Sequence, residues 1–403
     1  MGLIFKSDFH DGFGGWPLAY IPYGGADFGE ILAVGKAVGD GDDSAYYEAW
    51  MAAGGRFAAA ADEALAKGRR GSAQELLLRA SCFYATSYHP IYGAPVDPRL
   101  ATAFHKLTDA FDKGLALSDP AVAPLRIPFE STPLPGYFIP AAGHGREVRP
   151  LLILTNGYDG TITDMYFASA VAASRRGYHC LLFDGPGQGG MLIEQGVPLR
   201  HDWETVVKAV VDFALTLPLV DPARIALAGW SLGGYLAPRA ASGEPRLRAC
   251  IADPGQPSVA RGYRDYVVKL GATPAAAAHL GELDQALLDR MWQIVQNDRK
   301  LRWSVVQRGF WVNGAHNLRD YLRSVELFTM EGRTELIRCP TLVTAAEEDP
   351  LSSSALAFFD ALRCPKDLIR FTAAEGAGDH CEMANRSLLN RRVLDWLDGI
   401  MAG

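Results

Sequence analysis

The stretch ARIALAGWSLGGYLAPRAAS, residues 223–242, decides how the rest of the chain is read. An apolar run, ARIALA, leads into Gly229-Trp230-Ser231-Leu232-Gly233-Gly234, and apolar residues at helical spacing follow. Gly-x-Ser-x-Gly between a strand and a helix predicts a tight, strained turn. The glycines matter because a side chain at either place would collide with neighbouring backbone. Such a turn lifts the Ser231 hydroxyl above a sheet edge. It also aims the start of a helix, with its unpaired N–H groups, at developing negative charge. Ser231 is therefore the candidate nucleophile and the Leu232 N–H a candidate oxyanion donor. Trp230, inside the turn, is a candidate substrate contact.

Outward from this turn, strand and helix signals alternate. RPLLILTN precedes a helix near 163–176, and YHCLLFD precedes a helix near 203–217. LRACIAD, CPTLVTAAE and DLIRFTA continue the series after a helix near 232–242. Fully apolar runs separated by helices indicate a mostly parallel sheet, eight-stranded here, with helices on both faces. LRIPFESTPLPGYFIPA (125–141) alternates and contains Thr132-Pro133, which predicts an antiparallel hairpin. The rhythm breaks once, at about 254–338, where helices are expected over 273–296 and 317–330. An insertion there sits above the C-terminal ends of the strands, where open α/β sheets bind ligands, and so reads as a helical cap.

Residues 1–122 read as a helical domain, with 123–403 as the catalytic domain. Helical spacing covers 44–68, 72–93 and 97–117, with starts at Ser44, Ser72 and Asp97 and with Gly68 and Gly114 near the ends.

A serine hydroxyl is a poor nucleophile until a base takes its proton. Downstream of Ser231 lie His279, His316 and His380. His380 sits in the glycine-rich loop GAGDHCEM, after the last strand and before the terminal helix, and is the chosen base. An orienting acid should follow the penultimate strand, where Glu347, Glu348 and Asp349 occur in sequence. Asp349, followed by Pro350, is preferred, with the two glutamates as alternatives. A second oxyanion donor is expected from Asn156-Gly157-Tyr158-Asp159-Gly160, with Tyr158 first and Gly157 second. Asp253 ends the sixth strand and is a candidate for touching substrate or assisting protonation. Asp184-Gly185-Pro186-Gly187-Gln188-Gly189 lacks phosphate-loop spacing, with no suitable helix directly after it, and reads as a structural loop beside the site. Asp202 reads as a helix N-cap. Trp292, Trp303, Phe310 and Trp311 read mainly as packing.

Composition narrows the partners. The net charge of −7 is spread along the chain with no basic run, which argues against nucleic acid. The start shows no apolar stretch of signal-peptide length, and no window approaches the roughly 18 apolar residues of a membrane span. Six scattered cysteines form no CxxC pair and there is no HExxH, so no metal and no cofactor are expected, in a reduced cytoplasmic setting.

Together these residues resemble the α/β-hydrolases with a helical N-terminal domain, typified by dihydroxypseudooxynicotine hydrolase and the fungal polyketide-shortening hydrolases of pigment pathways. The resemblance is carried by AQELLLRASCFYATSYHP, LRIPFESTPLPGYFIP, NGYDGTITDMYF, FDGPGQGG, HDWETVVKAVVDF, GWSLGGYLAPRAAS and MEGRTELIRCPTLV, with the DP and GDH loops. It implies a Ser231–Asp349–His380 triad, a homodimer, and N-terminal helices closing over the site. It also implies hydrolysis of a small organic substrate at a carbon–carbon bond beside a carbonyl, or of an ester or lactone. An acyltransferase, a cyclase or a non-catalytic binding protein on the same scaffold are the other readings.

Overall fold

The apolar runs form eight strands: β1 (Pro124–Ile127), β2 (Leu134–Ile139), β3 (Arg149–Thr155), β4 (His179–Phe183), β5 (Val220–Trp230), β6 (Ala249–Asp253), β7 (Thr341–Ala346) and β8 (Lys366–Phe371). The computed structural model describes residues 2–402. The strands make one sheet in the order β1-β2-β4-β3-β5-β6-β7-β8. The β1/β2 and β2/β4 pairings are antiparallel and all others parallel. Every residue of β4 and β6 is buried, as expected when helices cover both faces. The hairpin reverses at Phe129–Thr132, where Thr132 N–H donates to the Phe129 carbonyl, just before the expected Pro133.

The N-terminal region is helical, with long helices at Asp43–Ala66, Arg70–Ser87 and Pro98–Ala116. The last buries Leu100, Ala103, Phe104, Leu107, Ala110 and Phe111 at helical spacing, and the Asp97 side chain caps its start. Two expected starts differ. Asp42, not Ser44, accepts the first amides of the helix beginning at Asp43, since its carboxylate reaches both Ser44 and Ala45 N–H. The next helix begins at Arg70, two residues before Ser72, with Arg69 at the cap position and no side-chain bond there. Shorter helices at Asp8–Gly14, Trp16–Ala19 and Phe28–Val38 precede these.

The insertion after β6 is helical but more broken than its sequence suggested. The stretch 273–296 splits into Pro274–Ala277, a 3-10 turn at Leu280–Glu282, and Gln285–Asn297. The break has a cause: the Leu280 and Gly281 amides donate to the Glu326 carboxylate at 2.6 and 3.2 Å instead of continuing the helix, and Asp284 caps the new start. Helices at Ala260–Lys269 and over 299–313, the latter wide-turned at Arg302–Phe310, were not legible in the sequence. Ser258 and Thr329 form an isolated bridge that brings the two ends of the insertion together. Among the described residues no helix is long and apolar enough to cross a membrane.

Candidate active site

The turn after β5 has the strain its sequence implied. Ser231 is a non-glycine residue at φ +56°, in the left-handed region. A Cβ on Gly229 would lie 2.1 Å from the Gly233 carbonyl oxygen, and one on Gly233 would lie 2.9 Å from that of Thr155. Both positions are therefore closed to any side chain. The helix Gly233–Ala241 starts directly beyond, and the Leu232 N–H has no acceptor among the described residues.

His380 reaches this turn from the loop after β8. Its Nε2 is 3.0 Å from Ser231 Oγ, and its Nδ1 is 2.9 Å from Asp349 Oδ2. Asp349 follows β7 and is buried; its other oxygen accepts the Leu351 amide at 3.0 Å. Burial pushes the His380 imidazole down, but the hydrogen bond and charge of Asp349, with Asp253 and Asp159 beyond, push it up by more, so it sits above the ordinary value of 6.5. Glu347 accepts the Ala373 amide at 2.8 Å, and neither it nor Glu348 is bonded to His380. His279 and His316 lie in the insertion, and it is His380 that bonds both Ser231 and Asp349.

The loop after β3 lies against the serine: a Cβ on Gly157 would be 2.9 Å from Ser231 Cβ. The Gly157 amide is already used, donating to Asn156 Oδ1 at 2.7 Å, whereas the Tyr158 amide has no acceptor among the described residues. Asn156 Oδ1 also accepts Trp230 Nε1–H at 2.8 Å, so the Trp230 ring, itself buried, braces the loop. Gln188 holds it from the other side, donating to the Asn156 and Gly157 carbonyls at 2.8 and 3.0 Å. The Asp184–Gly189 loop thus lies beside the site, followed by a short five-residue helix, Gly189–Ile193. Its Asp184 is buried, accepts the Gly190 amide at 2.9 Å and has its carboxyl pushed up to about 7 by burial. Asp202 does stand at a helix N-cap, but its oxygens take the Arg200 guanidinium, at 2.7 Å each, and no helix amide. Arg200 holds its carboxyl down at about 2.

Asp253, beside Trp230 in the β5/β6 register, has both oxygens engaged, by Thr344 Oγ1 at 2.8 Å and Arg386 Nη1 at 3.2 Å. Burial, with the Asp253 charge beside it, raises the neighbouring Glu382 carboxyl well above its ordinary range. Trp16 and His89 of the N-terminal region pack edge-on at 5.2 Å, and Trp16 lies 6.4 Å from Trp230, the residue before Ser231. From the insertion, Arg308 pairs with Asp159 at 3.0 Å. Asn156 and Gln188 lay inside motifs already singled out, yet Arg308 gave no signal: it is far from Asp159 in sequence. Among the described residues no group of three or more His, Cys, Asp or Glu side chains is arranged to hold a metal ion.

In chemical terms the arrangement is a hydroxyl on a strained turn, an imidazole to accept its proton, a carboxylate on the far ring nitrogen, and acceptor-free amides at Leu232 and Tyr158 in the two loops that meet at the serine. Comparison with known proteins places the chain in a family. The model of the alpha/beta hydrolase family matches residues 138–387. Hydrolase acrC of Aspergillus aculeatus is 34% identical, with 94% of each chain covered. The 20-hydroxy-prefusarin hydrolase FUS2 of Gibberella moniliformis is 32% identical, covering 100% of this chain and 99% of that one. In fold, the crystal structure of 2,6-dihydroxy-pseudo-oxynicotine hydrolase superposes with a TM-score of 0.74 at 22% identity over 95% of both chains. From its parallel sheet, its strained serine turn and its full-length relatives, the chain belongs to the α/β-hydrolase family.

Proposed function

We propose that the protein is a serine-nucleophile hydrolase cleaving an acyl bond of a small organic metabolite, namely a carbon–carbon bond beside a ketone in a β-dicarbonyl, aromatic-ketone or polyketide-like substrate. The observation that carries this reading is the continuous relay from Ser231 through His380 to Asp349, beside the unengaged amides of Leu232 and Tyr158. His380 Nε2 accepts the Ser231 proton as Oγ attacks the carbonyl carbon. The resulting oxyanion takes the Leu232 and Tyr158 N–H groups, which need no reorganisation as charge develops. Collapse breaks the bond to the leaving carbon, which receives the proton from the His380 imidazolium. Water, deprotonated by His380, then attacks the acyl-serine and releases a carboxylic acid and free Ser231. Asp349 stays ionised throughout, fixing the ring tautomer and stabilising the imidazolium. The full-length likeness to a 20-hydroxy-prefusarin hydrolase supports an organic metabolite as substrate.

A second reading, an esterase or lactonase, shares every step up to collapse. What favours it is Asp253, whose oxygens are both engaged by Thr344 and Arg386. The imidazolium is then left to protonate the leaving group, an easier task for an alkoxide than for a carbanion.

A fluorophosphonate should label Ser231, and Ser231→Ala should lower turnover by roughly 10⁴–10⁶-fold without unfolding the protein. Labelling at another serine would end the assignment. Asp349→Asn should cost about 10⁴ in kcat with KM little changed, while Glu347→Gln and Glu348→Gln stay near wild type. Because His380 must be neutral to act as base, activity should rise with pH through a value above 6.5. That limb should move down in pH in Asp349→Asn. Product analysis with an aryl 1,3-diketone and a matched aryl ester separates the two readings: turnover of the ester alone would replace the first by the second.

A further inference from the structure

We propose that the insertion sets the oxyanion hole from above, with Arg308 and Asn313 as positioning residues for the Tyr158 peptide. The inference rests on reading the Tyr158 N–H as an oxyanion donor. The loop over 156–160 is held from two sides, and each side holds a different part. From the sheet, Gln188 and Trp230 fix Asn156 and Gly157, one residue short of the donor. The bonds to the Tyr158 and Asp159 side chains come instead from the insertion. Arg308 Nη1 donates to Asp159 Oδ2 at 3.0 Å, and the same guanidinium lies 4.7 Å from the centre of the Tyr158 ring. The Tyr158 hydroxyl donates to Asn313 Oδ1, and Asn313 Nδ2 is held in turn by Ser324 Oγ at 3.0 Å.

The latch is itself anchored. The Arg308 guanidinium also lies 4.8 Å from the Trp303 ring centre, and Trp303 Nε1–H donates to the His89 carbonyl of the N-terminal region at 2.8 Å. Arg308 and Asn313 both belong to the helical stretch over 299–313, so one rigid segment carries both ends of the clamp. A planar, permanently charged guanidinium lying against two rings and paired to a carboxylate is a strong directional contact. An oxyanion donor works only where it meets the developing charge, so a loosened Tyr158 side chain is felt at the Tyr158 amide. Seating of the insertion therefore completes the hole, and the chemistry is coupled to its closure.

The rate of Ser231 modification by an alkyl fluorophosphonate tests this without knowledge of the substrate, because the phosphonyl oxygen takes the same two amides. Tyr158→Phe removes the hydroxyl, with its contacts to Asn313 and Tyr321 of the insertion, and keeps the backbone N–H. The pair Arg308→Met with Asp159→Asn removes the ion pair without leaving a lone buried charge. Both should lower the maximal inactivation rate, Tyr158→Phe by about tenfold and the pair by roughly 10–100-fold, with the half-saturating probe concentration within about twofold. Arg308→Lys, which keeps the charge, should recover part of the loss, and Tyr158→Phe should leave Tm nearly unchanged. A weaker half-saturation at an unchanged maximal rate would make Arg308 a ligand-binding group and overturn the proposal, as would wild-type rates in the paired variant. Absence of Ser231 labelling in the wild-type protein would instead strike the underlying reading of the nucleophile.

Discussion

Two helical regions lie over the sheet, and they are built differently. The N-terminal helices share one apolar core with the sheet: Tyr20, Trp50, Phe83, Tyr88 and Phe111 belong to the same buried cluster as Leu151, Phe183 and Leu227. Phe111 meets Tyr137 and Tyr166 edge-on at 5.0 and 5.2 Å, and Tyr20 stacks on Phe167 at 5.9 Å. The insertion after β6 has a core of its own, made by Leu280, Leu287, Leu288, Met291, Tyr321 and Leu322. It meets the N-terminal region through a few rings and a few directed contacts: Trp303 packs on Phe9 and Phe13 at 6.0 and 4.8 Å, and Trp311 on Tyr92 at 4.9 Å. Arg299 pairs with Asp43 and lies 4.3 Å from the Phe9 ring centre, and Gln307 Nε2 donates to the Pro90 carbonyl at 3.1 Å. The contrast teaches that a covering element can be part of the folding unit or a separate body fastened to it. Shared burial throughout gives the first, and a mostly local core fastened by a few anchoring rings and polar contacts gives the second.

The largest effect should come from removing each region in turn. Loss of residues 1–120 strips the sheet's helices of their shared core and should yield aggregate rather than soluble monomer, read by size-exclusion chromatography. Excising 260–327 and joining the ends with a short Gly-Ser turn is feasible because Ser258 and Thr329 already pair. That variant should stay soluble and unfold cooperatively at a lower Tm, with slowed labelling of Ser231. A soluble, fully active N-terminal truncation would break the comparison.

A smaller effect should sharpen it. Leu100→Ala and Leu287→Ala each delete a fully buried leucine side chain, one in each core. Leu100→Ala should lower the main unfolding transition by about 2–5 kcal/mol. Leu287→Ala should act locally, raising hydrogen exchange across 280–326 while leaving the main transition nearly in place. Equal shifts of one common transition would show that the two cores unfold as one.

The smallest effect concerns the residue just after β4, beside the N-terminal helix Pro98–Ala116. Asp184 is buried with its carboxyl pushed up to about 7, against an ordinary 3.8. Between those two values the folded chain keeps a proton that the unfolded chain has lost. Stability therefore falls as pH rises through that window and levels off above it. Asp184→Asn removes the penalty and should gain about 1–2 kcal/mol at pH 8, with the gain gone at pH 4. A gain independent of pH would assign it to packing instead.

Much of the site was legible in the chain because its rules are local. Gly229 and Gly233 announce a turn that admits no side chain, and His380 and Asp349 sit in loops that directly follow apolar strands. The order of apolar runs fixed the sheet for the same reason: a strand buried on both faces needs an unbroken apolar stretch. The insertion was less legible. Its helices over 260–269 and 299–313 carry arginines and aromatics without a clean apolar stripe, and the break at 278–284 depends on Glu326, far along the chain.

What the sequence determined by itself is therefore the sheet, the strained serine turn and the identity of the residues at the ends of the strands, since each follows from neighbours a few positions away. Tertiary structure alone decided which polar groups are spent and which are free. It engaged Asp253 with Thr344 and Arg386, occupied the Gly157 amide and left that of Tyr158 open, and brought Arg308 onto Asp159. Such pairings turn on distances of a few tenths of an ångström between segments remote in the chain, and a hydrogen bond carries no periodicity from which sequence could announce it.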